Sequence, residues 1–296
     1  MCRTRVMGNV NGPQESGSRG NFAFTTINLP MLAIEAEHNI SSFFQLFDKY
    51  IQIAHDYLLE RFNLIAKKHI YNFPFILGQK IYMGSDYLQN NDTIFEALKH
   101  STLSIGFVGL AECLTALIGQ HHGQSTEAQR LGYIIISHLR AMTDQYTKQD
   151  HLNWSTFASP AESCAGRLCK LAQKKYGNIA GVTDKEYFTN SMHVPVSFNI
   201  SVADKIRIEA PYHELCNAGV IFYSEFDGDA TKNLPAFESV IRKCHDMNMN
   251  YFAINTKSAD YCPACGNASF IDDKCPICGY HEHVDNQQYE VNFNIN

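Results

Sequence analysis

The sequence predicts an α/β fold with a largely parallel sheet, and three observations carry that expectation. Short runs rich in β-branched, aromatic and glycine residues, such as SIGFVGL and WSTFASP, alternate with longer amphipathic stretches. Those intervening stretches are long enough for the crossover helices that parallel neighbours require. Of 296 residues, 45% are hydrophobic and 18% charged, so the chain can bury a sizeable core. The alternation does not separate an open sheet from a barrel, and no internal repeat or low-complexity segment is evident.

Taken in order, the first 30 residues are rich in Gly, Asn, Ser and Arg and read as a long loop leading into a short strand, FAFTTINLP. With Ser41 or Ser42 as N-cap, Phe43, Phe44, Phe47, Ile51, Ala54, Leu58, Phe62 and Ile65 recur at the three-four spacing of a helix running to about Lys68. A Pro- and Gly-punctuated connection and a short helix near Thr93 to His100 precede the strand SIGFVGL. Glu112 to Ile118 reads as helix, Gln120 to Gly123 as a turn, and Thr126 to Tyr146 as a long helix striped by Leu131, Ile134, Ile135, His138, Leu139 and Met142. The strand WSTFASP and a helix from Ala161 to Tyr176 follow. After VPVSFNIS come a helical stretch ending near Asn217 and Gly219, the strand VIFYSEF, a helix from about Leu234 to Met247, and the strand YFAIN.

Composition excludes several classes of function. The formal charge is −6 and the basic residues are scattered, which argues against a nucleic-acid-coating surface. The longest apolar stretch, Ile105 to Gly119, is interrupted by Glu112 and is too short to span a bilayer, so no membrane partner is expected. The N-terminus has two arginines but no secretory apolar run, and a cytoplasmic location is expected. Ten cysteines in a large chain of a reducing compartment then point to metal binding or thiol chemistry.

Four of the ten form Cys262-Pro-Ala-Cys265-Gly and Cys275-Pro-Ile-Cys278-Gly. Two such knuckles place four thiolates on tight turns and make a tetrahedral site suited to structural Zn²⁺, ahead of a redox dithiol pair or an iron–sulfur site. A closed four-cysteine site has no open coordination position, so its expected role is to fold the C-terminal segment. His121 and His122 beside Gly123 could bind metal or move protons, but adjacent histidines usually diverge, and a structural role is favoured. Cys113, Cys164, Cys169, Cys216 and Cys244 read as small core residues. Glu162, Asp227 and Asp229 follow strands, where α/β sites collect function, and equally suit caps and turns. Cys2 stands beside Arg3 and Arg5 in a glycine-rich loop, where positive charge favours a thiolate.

The ordered segments CRTRV, SRGNFAFTTINLP, IGFVGLAECLTAL, HHG, SPAESCAGR, GVTDKEYFTNSMHVPV, DKIRIEAPYHELCNAG and DGDATKNLPAFE, with the paired knuckles, resemble the anaerobic (class III) ribonucleoside-triphosphate reductase large chain of the glycyl-radical enzyme family. The resemblance implies the C-terminal half of that family's ten-stranded α/β barrel. Residues 1–257 would form the barrel part, with the active-site loop at 1–20; 258–282 would form a Cys₄ zinc ribbon and 283–296 a tail. It further implies a glycyl radical, generated by a separate radical S-adenosylmethionine activase, that takes a hydrogen atom from a cysteine. The thiyl radical removes the 3′ hydrogen of a ribonucleoside triphosphate. Water is then lost, and formate or a thiol system supplies the reducing equivalents for the deoxyribonucleotide that DNA replication needs. Cys2 matches the thiyl-radical cysteine, and Thr4 and Asn21 match substrate-pocket positions.

Two departures qualify what the resemblance implies. Family members are considerably longer, so the first barrel half and second active-site cysteine are expected from a missing reductase portion, with a homodimer when complete. The family's radical segment has the form R-V-C-G-Y, whereas here Pro276 stands where the arginine belongs and Cys278 is claimed by the knuckle. Gly279 is therefore not the expected radical site, and the isolated chain is expected to be inactive. The alternative is a non-catalytic zinc-binding remnant of such a reductase.

Overall fold

The computed structural model describes residues 4–6, 8–226, 233–256, 260–269 and 274–280. The chain divides into two compact units: residues 1–222 with 244–251, and residues 223–243 with 252–296.

The larger unit is built on three parallel strands in the order β1 (Asn21–Asn28), β2 (Thr102–Val108) and β3 (Asn153–Ala158). Thr25 pairs with Ile105, which in turn pairs with Thr156. Every residue of β2 is buried, as a central strand covered on both faces requires. Beyond β3, Phe157 bridges Gly219 in parallel, with Ala218 N donating to Thr156 O at 2.9 Å and Ala158 N donating to Gly219 O at 3.1 Å. The row therefore extends one short segment past the last named strand. The parallel α/β expectation holds for these strands.

Two helices follow β1 where the sequence suggested one. α1 (Leu29–Glu35) starts directly after the strand, and Pro30 in its first turn is pre-set for helix entry, so the proline opens a helix where it had read as the end of a strand. α2 (Ile40–Ala66) buries Phe43, Phe47, Ile51, Ala54, Leu58 and Phe62 as the periodicity indicated. Its N-cap is Asn39, whose side chain accepts from Ser42 N at 2.9 Å, not Ser41 or Ser42. A short 3₁₀ turn, Ile70–Asn72, follows. The helix expected near Thr93 to His100 is only the single turn α3 (Phe95–Leu98).

β2 leads into α4 (Leu110–Ile118) through Gly109, whose φ is 76°. A Cβ at Gly109 would sit 2.4 Å from Pro30 Cγ, so the strand-to-helix turn needs glycine for conformation and for space. α5 (Thr126–Asp150) runs four residues past the expected end at Tyr146, and its buried face is Ala128, Gly132, Ile135, Ile136, Leu139, Thr143 and Tyr146. Ile134, expected in the stripe, is exposed. α6 (Glu162–Tyr176) follows β3, and α7 (Val202–Leu215) follows an irregular VPVSFNIS segment. Of the five cysteines expected in cores, Cys113, Cys169, Cys216 and Cys244 are buried, whereas Cys164 is exposed on the outer side of α6.

Beyond this point β4 (Phe222–Phe226) and β5 (Phe252–Thr256) form a two-stranded sheet, with α8 (Leu234–Asp246) between them in the chain. The two-residue strands β6 (Asp260–Tyr261) and β7 (Ala268–Ser269) pair antiparallel. No helix among the described residues is long and apolar enough to cross a membrane.

Candidate functional site

Cys2, Asp227 and Asp229 lie outside the described residues. Close after Cys2 in the chain, Arg5 is held at several points. Arg5 N donates to Ala218 O at 2.8 Å, while its guanidinium donates to His213 O at 3.2 Å and Cys216 O at 3.1 Å, the carbonyls at the C-terminal end of α7. A cation on those orphan carbonyls is a favourable helix cap. Asn21, first residue of β1, donates from Nδ2 to Arg5 O at 3.5 Å and accepts the Thr102 hydroxyl on Oδ1. Arg5 thus joins β1 at one edge of the row to the Ala218 segment at the other. Thr4 is half-buried and directly precedes Arg5, whose carbonyl Asn21 contacts.

The rest of the N-terminal loop is pinned by amides. Val10 N donates to Asn153 Oδ1 at 2.9 Å, Asn153 Nδ2 donates to Ser101 O at 3.1 Å, and Asn11 Nδ2 donates to His151 O at 2.9 Å. Arg19 Nε donates to His100 O at 2.9 Å, and burial lowers the Arg19 pKa from its ordinary value. Composition marked GNVNG only as turn-forming; its asparagines are instead the buttons that fasten the loop to the starts of β2 and β3. The one available sequence signal was four asparagine or glycine positions close after two arginines.

At the opposite, C-terminal ends of the parallel strands, Thr26 Oγ1 and Ser159 Oγ share a hydrogen bond of 2.7 Å. Such strand ends are where parallel α/β sheets place ligands. Gly106 leaves room for that contact, since a Cβ there would sit 2.1 Å from Ser159 Oγ. Nearby, Glu112 is fully buried and accepts from Lys185 Nζ at 2.8 Å, Thr189 Oγ1 at 2.7 Å and Thr189 N at 3.1 Å. The loop it fixes reaches α6, because Ala161 N donates to Asn190 Oδ1 at 3.1 Å. Glu112 was legible only as a charge interrupting an apolar run; its partners lie more than 70 residues away in the chain. Glu162 is exposed in the first turn of α6.

His121, His122, His193 and His213 are buried groups. His122 Nε2 is 2.8 Å from Met192 O, and burial holds the His122 pKa down at about 4. Burial likewise lowers His121 and His213 to about 4. The rings of His121 and His122 are 6.1 Å apart at 75°, so they do diverge. His193 Nδ1 lies 3.0 Å from the buried carboxylate of Glu209, which also accepts from Val194 N at 2.9 Å.

In the smaller unit the sulfurs of Cys262, Cys265, Cys275 and Cys278 all lie within 4.8 Å of one another. Two of the separations are 3.5 Å (Cys262 to Cys278) and 3.7 Å (Cys265 to Cys275). A tetrahedron with metal–sulfur bonds of about 2.3 Å has sulfur edges of about 3.8 Å, so the cluster is sized to hold a metal ion. The knuckles are alike: Gly266 N donates to Cys262 O and Gly279 N to Cys275 O, each at 2.9 Å, with φ of 73° and 75°. The backbone N–H of Cys278, opposed by desolvation and helped by that of Ile277, pulls the Cys275 thiol down to about 6.

The family model for anaerobic ribonucleoside-triphosphate reductase matches residues 1–289. The chain belongs to the anaerobic ribonucleoside-triphosphate reductase family. It is 33% identical over 270 residues to the anaerobic ribonucleoside-triphosphate reductase of Escherichia coli (strain K12), covering 90% of this chain and 37% of that protein. The corresponding protein of Enterobacteria phage T4 is 32% identical over 273 residues, or 90% of this chain and 43% of the relative. Among solved structures, an anaerobic ribonucleotide reductase superposes with a TM-score of 0.61 at 22% identity, over 94% of this chain and 40% of that one. The Thermotoga maritima anaerobic ribonucleotide reductase with glycerol in the active site gives 0.58 at 21% identity, over 94% and 42%. This reductase-family chain therefore spans well under half the length of the relatives it matches. The mixed α/β fold agrees with those structures.

Proposed function

We propose that the chain is the portion of an anaerobic ribonucleoside-triphosphate reductase that carries the hydrogen-abstracting thiol, acting with the remaining half of the barrel. The observation that carries this reading is family membership over residues 1–289. Cys2 is the assigned hydrogen-atom donor. Its S–H bond is weak enough to exchange hydrogen reversibly with a carbon radical. The family's glycyl radical, for which no residue of this chain is assigned, supplies the oxidising equivalent when present. The thiyl sulfur then takes the 3′ hydrogen of the ribonucleotide. The 2′ hydroxyl leaves as water with a proton, two electrons come from formate or a thiol reductant, and Cys2 returns hydrogen to C3′.

Thr4 and Asn21 are proposed as polar groups of the substrate pocket. The anchoring of Arg5 to Ala218, His213 and Cys216 supports a loop of fixed position three residues after the thiol. Residues 258–282 are proposed as a zinc ribbon on the boundaries set out above, and the sulfur separations of 3.5 and 3.7 Å support a single Zn²⁺ there. When bound, that ion supplies folding energy to the knuckles and no chemistry to the substrate.

The test is an anaerobic assembly of this chain with the missing reductase portion, activase, S-adenosylmethionine and reductant. Cys2→Ser keeps nearly the same shape and removes the exchangeable hydrogen, so nucleotide binding should survive and turnover should not. Deoxyribonucleotide formation near the parent rate would rule the thiyl assignment out.

A further inference from the structure

We propose that the exposed flank of α6 is a docking groove for an acidic polypeptide segment bearing an apolar anchor. A cavity of about 730 Å³ lies between this helix and the Glu186–Tyr187 turn. From Glu162 to Lys174 the helix rises about 18 Å at about 1.5 Å per residue, so the cavity is a trench. Arg167, Lys170 and Lys174 stand along it at three- and four-residue steps, which places them on one face. Lys175 is paired with Glu35 and Lys185 with Glu112, each at 2.8 Å, whereas the three groove cations have no ion-pair partner among the described residues. Like charges at this spacing repel, and an anionic partner relieves that repulsion. The stripe is the more distinctive because the chain as a whole carries −6.

Two apolar side chains complete the surface. Leu171 is 48% exposed and Tyr187 54% exposed, both lining the trench. An exposed aromatic beside cations is a characteristic anchor of protein interfaces. Glu162 and Glu186 also line the groove, the former at the start of α6 and the latter with its carbonyl oxygen beside Gly166. A compact polyanion would meet those carboxylates as well as the cations. An elongated polypeptide can set its own carboxylates over Arg167, Lys170 and Lys174 and an apolar side chain over Leu171 and Tyr187. Length, apolar lining and charge order together favour the polypeptide.

The test uses the whole chain and a fluorescein-labelled peptide of alternating glutamate and leucine, read by anisotropy at low salt. Lys170→Glu with Lys174→Glu should weaken binding about tenfold, and the neutral Lys170→Gln with Lys174→Gln pair should weaken it less, as expected for screened surface charges acting together. Leu171→Ala with Tyr187→Ala should weaken it about threefold by removing the anchor. Added salt should lower affinity for the parent and much less for the charge-reversed protein. Equal affinity of parent and both charge variants would overturn the proposal. So would tighter binding of inorganic tripolyphosphate than of the peptide, since that result assigns the groove to a small polyanion.

Discussion

The parallel sheet and the cysteine knuckles hold themselves together by different physics. In the larger unit, β2 is buried along its whole length and packs Leu103, Ile105 and Phe107 into a core shared with α2, α4 and α5. Stability there comes from apolar area removed from water. In the knuckles, Cys262 and Cys275 are the buried residues, at 1% and 3% exposure, while Pro263, Cys265, Pro276 and Ile277 are exposed. So small an apolar interior offsets little chain entropy, and the four sulfurs are placed where they could hold a metal ion that would supply the difference. One region is specified by many weak contacts, whereas the other gathers four sulfurs that could make four strong ones to a metal.

The largest expected effect breaks the knuckles alone. Cys275→Ser should take the zinc content of the purified, reduced protein from one per chain to none, by elemental analysis. Structural zinc contributes about 10–16 kcal/mol in small zinc domains, so hydrogen exchange across 261–280 should become fast while that of 102–108 stays protected. Iron in the parent, or undiminished zinc in the variant, would defeat the assignment.

The converse variant strikes the other region. Phe107→Ala empties a fully buried site in the core, and large-to-small changes of this kind cost about 3–5 kcal/mol. The urea midpoint of the larger unit should fall by that equivalent with zinc content unchanged.

Acid should act on the larger unit through its buried histidines. His122 and His213 have folded pKa values of about 4 against an ordinary 6.5, because burial disfavours the charged ring. The unfolded chain therefore binds more protons between pH 6.5 and 4. Their contribution is full above about pH 6.5 and is lost as pH falls toward 4, about 2 kcal/mol per site by pH 5. Urea melts at pH 7.5 and 5.0 check this; His122→Gln should flatten the dependence.

The smallest effect is local. Asn39→Ala removes the side-chain acceptor of Ser42 N and should cost about 1 kcal/mol, seen as faster exchange in the first turn of α2.

α2 and α5 show how far sequence reading reaches. The stripe of α2 was legible because large apolar residues, Phe43, Phe47, Ile51, Leu58 and Phe62, dominate its buried face, with His55 as its one polar member. In α5 the buried face includes Gly132 and Thr143, which a hydrophobicity pattern does not select. Gly132 is there because a Cβ would come within 2.6 Å of Tyr212 Oη, and Thr143 because its hydroxyl meets that of Thr156 at 3.0 Å. Those partners lie on α7 and β3, so neighbours in space chose the face. The same reason hid α1, whose entry through Pro30 depends on the close passage of Gly109.

By itself the sequence determined the alternation of strands and helices, the largely parallel character of the sheet, and the paired cysteine knuckles, because each rests on local spacing. Tertiary structure alone decided that Arg5 caps α7, that Glu112 fixes the Thr189 loop, and that Asn153 fastens the N-terminal loop. Each of these is a buried or half-buried polar group whose partner lies far along the chain. A one-dimensional pattern records that such a group is present, whereas the identity of its partner is a property of the fold.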